Sequence, residues 1–147
     1  MADRVSVSIT IGGDLAASER DRFVAIIADE GLSVEWDGPE FEATQLPDEG
    51  ALTLCAHEVA WGRLDELEAF CIARCLPFAR WSGGCPGSFD PERTVFTGSG
   101  VLHGYAVSED DNVMIGRHTA EALGSYAAII ATFDAADFAV PPLRLTA

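Results

Sequence analysis

Residues 51–85, ALTLCAHEVAWGRLDELEAFCIARCLPFARWSGGC, decide the fold. Leu52, Leu54 and Ala56 alternate with Thr53, Cys55 and His57, the two-residue period of a strand with one buried face. Leu64, Leu67, Phe70 and Cys71 then recur at helical spacing. Asp65 and Glu66 fall in the first turn, where the partial positive charge of a helix N-terminus favours carboxylates. Leu76 to Trp81 is a short apolar run closed by Ser82, Gly83 and Gly84. The three pieces make one β-α-β unit.

Toward the amino terminus the pattern repeats. Val5, Val7, Ile9 and Ile11 alternate with Ser6, Ser8 and Thr10, so one face of this strand is apolar and the other carries hydroxyls. Gly12, Gly13 and Asp14 read as a turn. Ser18 and Asp21 resemble a capping box with a shortened acid, and a helix with the stripe Phe23, Ile26 and Ile27 runs to about Glu30. Gly31 is a natural C-cap, and Leu32 to Trp36 resumes as a strand. At an offset of 44 residues Asp21 falls on Asp65, Phe23 on Leu67, Ile26 on Phe70, Ile27 on Cys71 and Leu32 on Leu76. Two such units predict an α+β, ferredoxin-like split βαβ fold: a four-stranded antiparallel sheet with two helices on one face and the first and third strands at its centre. The face away from the helices then shows Ser6, Ser8 and Thr10 beside Thr53, Cys55 and His57. That face is either an open binding surface or is covered by the C-terminal third.

The remainder reads as an extension of the same domain, so that residues 1–147 form one unit, with the two βαβ-type units in 1–85 and a β-hairpin plus helical extension in 86–147. Thr94 to Thr97 and Val101 to Val107, separated by Gly98-Ser99-Gly100, make the hairpin, and Val113 to Ile115 a short strand. Thr119 to Leu123 reads as a helix stopped by Gly124, and Ser125 caps another through Tyr126, Ile129, Ile130 and Phe133. Pro141 and Pro142 end regular structure before the apolar tail Leu143 and Leu145.

Twenty-four acids oppose nine bases, all arginine, for a net charge of −15. Phosphate binding is driven by cationic contacts, so this balance works against direct binding of nucleic acid or an anionic membrane and suits a protein with a basic surface. A salt-adapted or high-GC proteome gives the same composition without a specific partner. No apolar run approaches the ~18 residues of a membrane span, and Met1 to Val5 lacks the basic and apolar regions of a secretory signal. The expected location is cytoplasmic, with Cys55, Cys71, Cys75 and Cys85 as thiols rather than disulfides.

Chemistry-bearing residues are few. Cys85 lies in Gly83-Gly84-Cys85-Pro86-Gly87, where clustered N–H groups can activate a thiolate, but Pro91 stands where a phosphatase-like signature needs arginine. Cys55 and His57 are a second thiol–imidazole candidate on the sheet face. Cys71 and Cys75, four apart on one helix, lack two further ligands on their face, so no metal site is expected. No dinucleotide or P-loop glycine pattern occurs and no cofactor is expected. The most distinctive feature is a pair of acidic loops: Glu35, Asp37, Glu40, Glu42, Asp48 and Glu49 without a single base among residues 35–49, and Glu109, Asp110 and Asp111. The leading expectation is a non-enzymatic protein-binding or regulatory module, including a nucleic-acid mimic or inhibitor that occupies a basic partner's groove. The alternative is a small cysteine/histidine-dependent enzyme or small-molecule-binding domain using the open sheet face. Sequence assigns no oligomeric state.

Overall fold

The computed structural model describes residues 3–147; Met1 and Ala2, part of the stretch read for a secretory signal, lie outside them. Strand β1 (Arg4–Ile11) leads through the short β2 (Gly13–Ala16) into helix α1 (Arg20–Asp29). After a long loop come β3 (Leu52–Ala60), α2 (Asp65–Ala73) and β4 (Phe78–Ser82). Strands β5 (Glu92–Phe96) and β6 (His103–Ala106), helices α3 (Arg117–Leu123) and α4 (Tyr126–Ala136), and β7 (Leu143–Thr146) complete the chain. It is a mixed α+β structure with four helices and a mostly antiparallel sheet.

The main sheet has five strands, not four, in the order β3-β1-β4-β5-β6, and all its pairings are antiparallel. The middle strand is β4; β1 lies between β3 and β4, which α2 connects, and β3, expected at the centre beside β1, is instead the outermost strand. The expected strand Leu32–Trp36 is reduced to one bridge, Ser33 with Cys55, because the chain turns away at Gly38-Pro39 and the Ser33 hydroxyl donates to the Pro39 carbonyl at 2.8 Å. Two of the five strands come from the hairpin, which extends the sheet by pairing β5 with β4 and β6 with β5. Val113 makes a single bridge to Val107 rather than a strand. The apolar tail is the unforeseen element. As β7 it pairs in parallel with β2, where a turn was expected. Gly12 permits this, because a Cβ there would lie 1.7 Å from the Pro141 carbonyl oxygen.

Val7, Ile9 and Ile11 of β1, with Leu52, Leu54 and Phe78 beside them, form the core floor against Phe23, Ile27, Leu67 and Cys71 of the helices. Removing such side chains from water is the main stabilising contribution, roughly 1.5–3 kcal/mol for each large one fully buried. Phe23 and Phe70 join the two helices with ring centroids 5.5 Å apart.

The two helices end alike. Leu32 N donates to Ile27 O and Gly31 N to Ala28 O; 44 residues on, Leu76 N donates to Cys71 O and Cys75 N to Ile72 O. Both are Schellman closures with a left-handed residue at the turn, Gly31 at φ 74° and Cys75 at φ 56°. Cys75 therefore lies beyond the helix, exposed, and does not share a helical face with buried Cys71, which corrects the spacing argument. The expected Ser18 cap is also absent: Ser18 sits in a 3-10 turn, Ala17–Glu19, and α1 begins without a side-chain cap. Ser125 does cap α4, its hydroxyl accepting from Ala128 N at 3.1 Å, and Gly124 at φ 81° ends α3.

Candidate functional site

The sheet face opposite α1 and α2 divides in two. Its β4–β5 half is covered. Val95 is buried there, Trp81 Nε1 donates to the Ser108 carbonyl at 3.2 Å, and Arg93 reaches Asp111, Asp137 and the Ala136 carbonyl at the end of α4. The β1–β3 half keeps its hydroxyl rows. Ser8 pairs with Cys55 and Thr10 with Thr53, whose hydroxyls lie 3.2 Å apart. The C-terminal third thus covers only the β4–β5 half of this face.

A β-bulge organises the uncovered half. Between the Val7–Ala56 and Val5–Val59 pairs, Ser6 opposes both His57 and Glu58, and Glu58 takes φ 59°. The bulge brings His57 Nδ1 to 2.8 Å from Ser6 Oγ, while Nε2 lies 3.7 Å from Asp37 Oδ2. Trp36 stacks on the imidazole with centroids 4.6 Å apart and itself stays 46% exposed. The sequence places His57 and the hydroxyls on this face but misses Trp36, which it assigns to a strand. Asp37-Gly38-Pro39 after it is the turn signal that frees the indole.

The loop that brings Trp36 and Asp37 to this face is fixed to the body. Phe41 is buried in the main core and Leu46 packs against it. A 3-10 turn at Ala43–Gln45 is closed by Glu42 N donating to Gln45 Oε1 at 3.0 Å. All six carboxylate residues, Glu35, Asp37, Glu40, Glu42, Asp48 and Glu49, are exposed. Among the described residues none pairs with an arginine; only Asp37 has an ionic neighbour, His57. The second acidic loop is used differently. Glu109 Oε1 accepts from Gly84 N at 2.9 Å and Asp111 pairs with Arg93, leaving Asp110 facing water.

The cysteines do not converge. Cys55 is buried beneath the Ser33 bridge, its thiol donating to Ser33 O at 3.6 Å; burial, then the charges of Asp37 and Glu35, push that thiol up from its ordinary range. Cys85 is half-buried in a tight turn in which Phe89 O accepts from Cys85 N, and among the described residues its thiol makes no hydrogen bond to a histidine. A different cleft, about 230 Å³, opens beside the ends of β4 and β5 at Ser82 and Glu92. Trp61 and Phe89 wall it, with centroids 6.3 Å apart, and Arg63, Arg80, Asp90 and Glu92 line it. No group of three metal-ligating side chains occurs among the described residues, and no helix there is long and apolar enough to cross a membrane.

The chain matches no protein family, no curated protein and no solved structure.

Proposed function

We propose that this chain is a ferredoxin-like split βαβ domain, its second strand worn down to the Ser33–Cys55 bridge, that acts as a non-enzymatic protein-binding module for a partner with a basic surface. The observation that carries the reading is the 35–49 loop: six exposed carboxylates without arginine partners, on a segment pinned by buried Phe41 that also presents the exposed indole of Trp36. Fixed carboxylates meet a cationic surface without first being ordered, and a central tryptophan is the residue type that most often anchors such contacts. Imitation of nucleic-acid phosphates is the specific form in which the partner's groove normally holds DNA or RNA.

The test is capture by the tagged protein from its host's lysate, eluted with rising salt, beside a variant carrying Glu35→Gln, Asp37→Asn and Glu40→Gln. The expected result is one stoichiometric partner, released as salt rises, lost from the variant at unchanged thermal stability, and displaced by duplex DNA or RNA if mimicry is the mechanism. No partner at low salt, or one that the variant retains, overturns the reading.

One observation favours the second reading, a small-molecule or histidine-dependent site on the sheet face: Ser6, His57 and Asp37 stand in line there. Cys55, buried and with its thiol held protonated, does not join them.

A further inference from the structure

The turn beside the Trp61–Phe89 cleft is built around a residue that such turns disfavour. Arg63 N donates to the Ala60 carbonyl at 3.2 Å, and between them Trp61 at φ 58° and Gly62 at φ 64° are the two left-handed residues of a type I′ turn. Glycine, asparagine and aspartate take those positions readily, whereas a bulky side chain there is an outlier. Gly62 has a steric reason for its place, since a Cβ would lie 2.9 Å from Ser82 Cβ and 3.0 Å from Val5 Cγ2. Trp61 is not there to fill the core. Its indole is 47% exposed, and the strained position holds it at the wall of the cleft.

The other wall is fixed as firmly. Cys85 and Phe89 exchange both backbone bonds, at 2.8 Å and 3.0 Å, which closes the segment 85–89 and sets the Phe89 ring 6.3 Å from the indole at a tilt of 50°. Rings this close form one V-shaped wall. The floor is already engaged: Arg80 donates to Glu68, Thr94, Ser82 and the Gly62 carbonyl, and the Ser82 hydroxyl donates to that same carbonyl. What is left for a ligand is the two rings and three side chains, Arg63, Asp90 and Glu92, that form no ion pair among the described residues. Among those residues the arginines that lie over an aromatic ring, Arg22 and Arg74, both do so on Phe70, so neither ring of the cleft is taken by the chain's own cation.

Aromatic faces attract cations through the ring quadrupole, and two carboxylates against one arginine, in a chain of net charge −15, add attraction of the same sign. We propose that this cleft binds an organic cation, an alkylated ammonium group seated in the angle between Trp61 and Phe89 with Asp90 and Glu92 as its counter-charges. Ring faces favour such a group over a small, strongly hydrated ion, which loses more water than the rings replace. The volume, about 230 Å³, is below the roughly 300–1,000 Å³ of sites for drug-sized ligands and suits a single head group, whether of a free amine or of a protein side chain. Arg63 opposes the cation and limits its affinity. The site stands whether or not the 35–49 loop binds a basic partner.

Titration of choline into the isotope-labelled full chain, followed by nuclear magnetic resonance at the Trp61 indole N–H, tests it. The expected result is a saturable shift at Trp61 and Phe89, absent at Trp36 and Trp81, and produced neither by sodium chloride at the same ionic strength nor by the uncharged analogue in which a tert-butyl group replaces the trimethylammonium. Trp61→Asn suits the left-handed turn and is expected to weaken binding about tenfold or more without lowering the melting temperature. Phe89→Leu, which keeps the bulk and removes the ring, and Asp90→Asn with Glu92→Gln are each expected to weaken it, and Arg63→Gln to tighten it. A trimethyllysine peptide that binds more tightly than choline assigns the cation to a protein side chain; the reverse order assigns it to a free amine. No saturable shift, an equal response to the uncharged analogue, tighter binding of benzoate than of choline, or binding that both Trp61→Asn and Phe89→Leu leave intact overturns the proposal.

Discussion

Arg80 Nε lies 3.0 Å from Glu68 Oε2, and both side chains are about nine-tenths buried, 11% and 9% exposed. The guanidinium also donates to the Gly62 carbonyl and to the hydroxyls of Ser82 and Thr94, so the pair sits in a nearly complete hydrogen-bond shell under the edge of α2. Even so, Glu68 has its carboxyl above the usual range, because burial outweighs the arginine beside it. Removing one partner leaves the other charge buried. Glu68→Ala or Arg80→Ala is therefore expected to cost about 3–5 kcal/mol, read as a lower urea midpoint, while Glu68→Leu with Arg80→Met costs far less than either alone. Equal losses in the single and double variants would show that packing, not charge, holds this corner.

Gly31 and Cys75 occupy the same place in two Schellman closures, but only glycine takes positive φ without steric cost. Cys75→Gly is expected to stabilise the protein by roughly 0.5–1 kcal/mol in denaturant titrations, and Gly31→Ala to destabilise it by about 1 kcal/mol. Opposite signs at equivalent positions are the signature. A neutral Cys75→Gly would mean that the thiol makes a compensating contact.

The four thiols should react in an order set by burial. Cys75 is exposed, whereas Cys71 is fully buried and its thiol is pushed up to about 12, chiefly by that burial and then by Glu68. With a disulfide reagent at neutral pH, Cys75 is expected to react first and Cys71 only at the rate of unfolding. Fast labelling of Cys71 in the folded protein would contradict the packing of α2 on the sheet.

What the sequence disclosed follows from range. The alternation in β1 and β3 is a two-residue period readable in place, and it put Ser6, Ser8, Thr10, Thr53, Cys55 and His57 on one face, where the register has them. Gly31 marked its helix end for an equally local reason. Cys75 hid the equivalent end, since Cys71 and Cys75 imitate one face of a continuing helix. The pairing of β7 with β2 depends on two segments more than a hundred residues apart, one of them written as a turn. The neighbourhood of Trp36, His57 and Ser6 required a bulge, and nothing in Ala56-His57-Glu58-Val59 announces one.

Glu30 couples stability to pH. Its carboxylate accepts the Leu67 N–H at the start of α2, but burial and the charges of Glu66, Asp65 and Glu68 raise its pKa, and its Oε2 is buried without a partner. A carboxyl whose folded pKa is raised contributes stability below its unfolded value, and that contribution is lost as pH rises through the folded value. Glu30→Gln keeps an acceptor for Leu67 and removes the charge. It is expected to raise the melting temperature at pH 7, with the gain shrinking as pH falls and vanishing below the ordinary carboxylate range near 4.3. A gain that persists undiminished at low pH would mean that shape, not charge, is responsible.

Gly12 is where the tail meets the sheet, and its substitution isolates what the tail contributes. The Pro141 carbonyl oxygen occupies the space of a Cβ at this position, and the neighbouring bonds, Gly13 N to Pro142 O and Leu143 N to Gly50 O, tie the tail to both β2 and the end of the acidic loop. Gly12→Ala must push the tail away and release Gly50 with it, while the central strands, whose core contacts are elsewhere, stay paired. Hydrogen exchange is expected to show faster exchange at Leu143, Leu145 and the segment around Gly50, with Val7 and Ile9 still protected. Uniform loss of protection would mean instead that the tail is part of the same cooperative unit as β1. Either way the 35–49 loop is the readout that matters, because its carboxylates are presented on a segment whose far end rests on this contact.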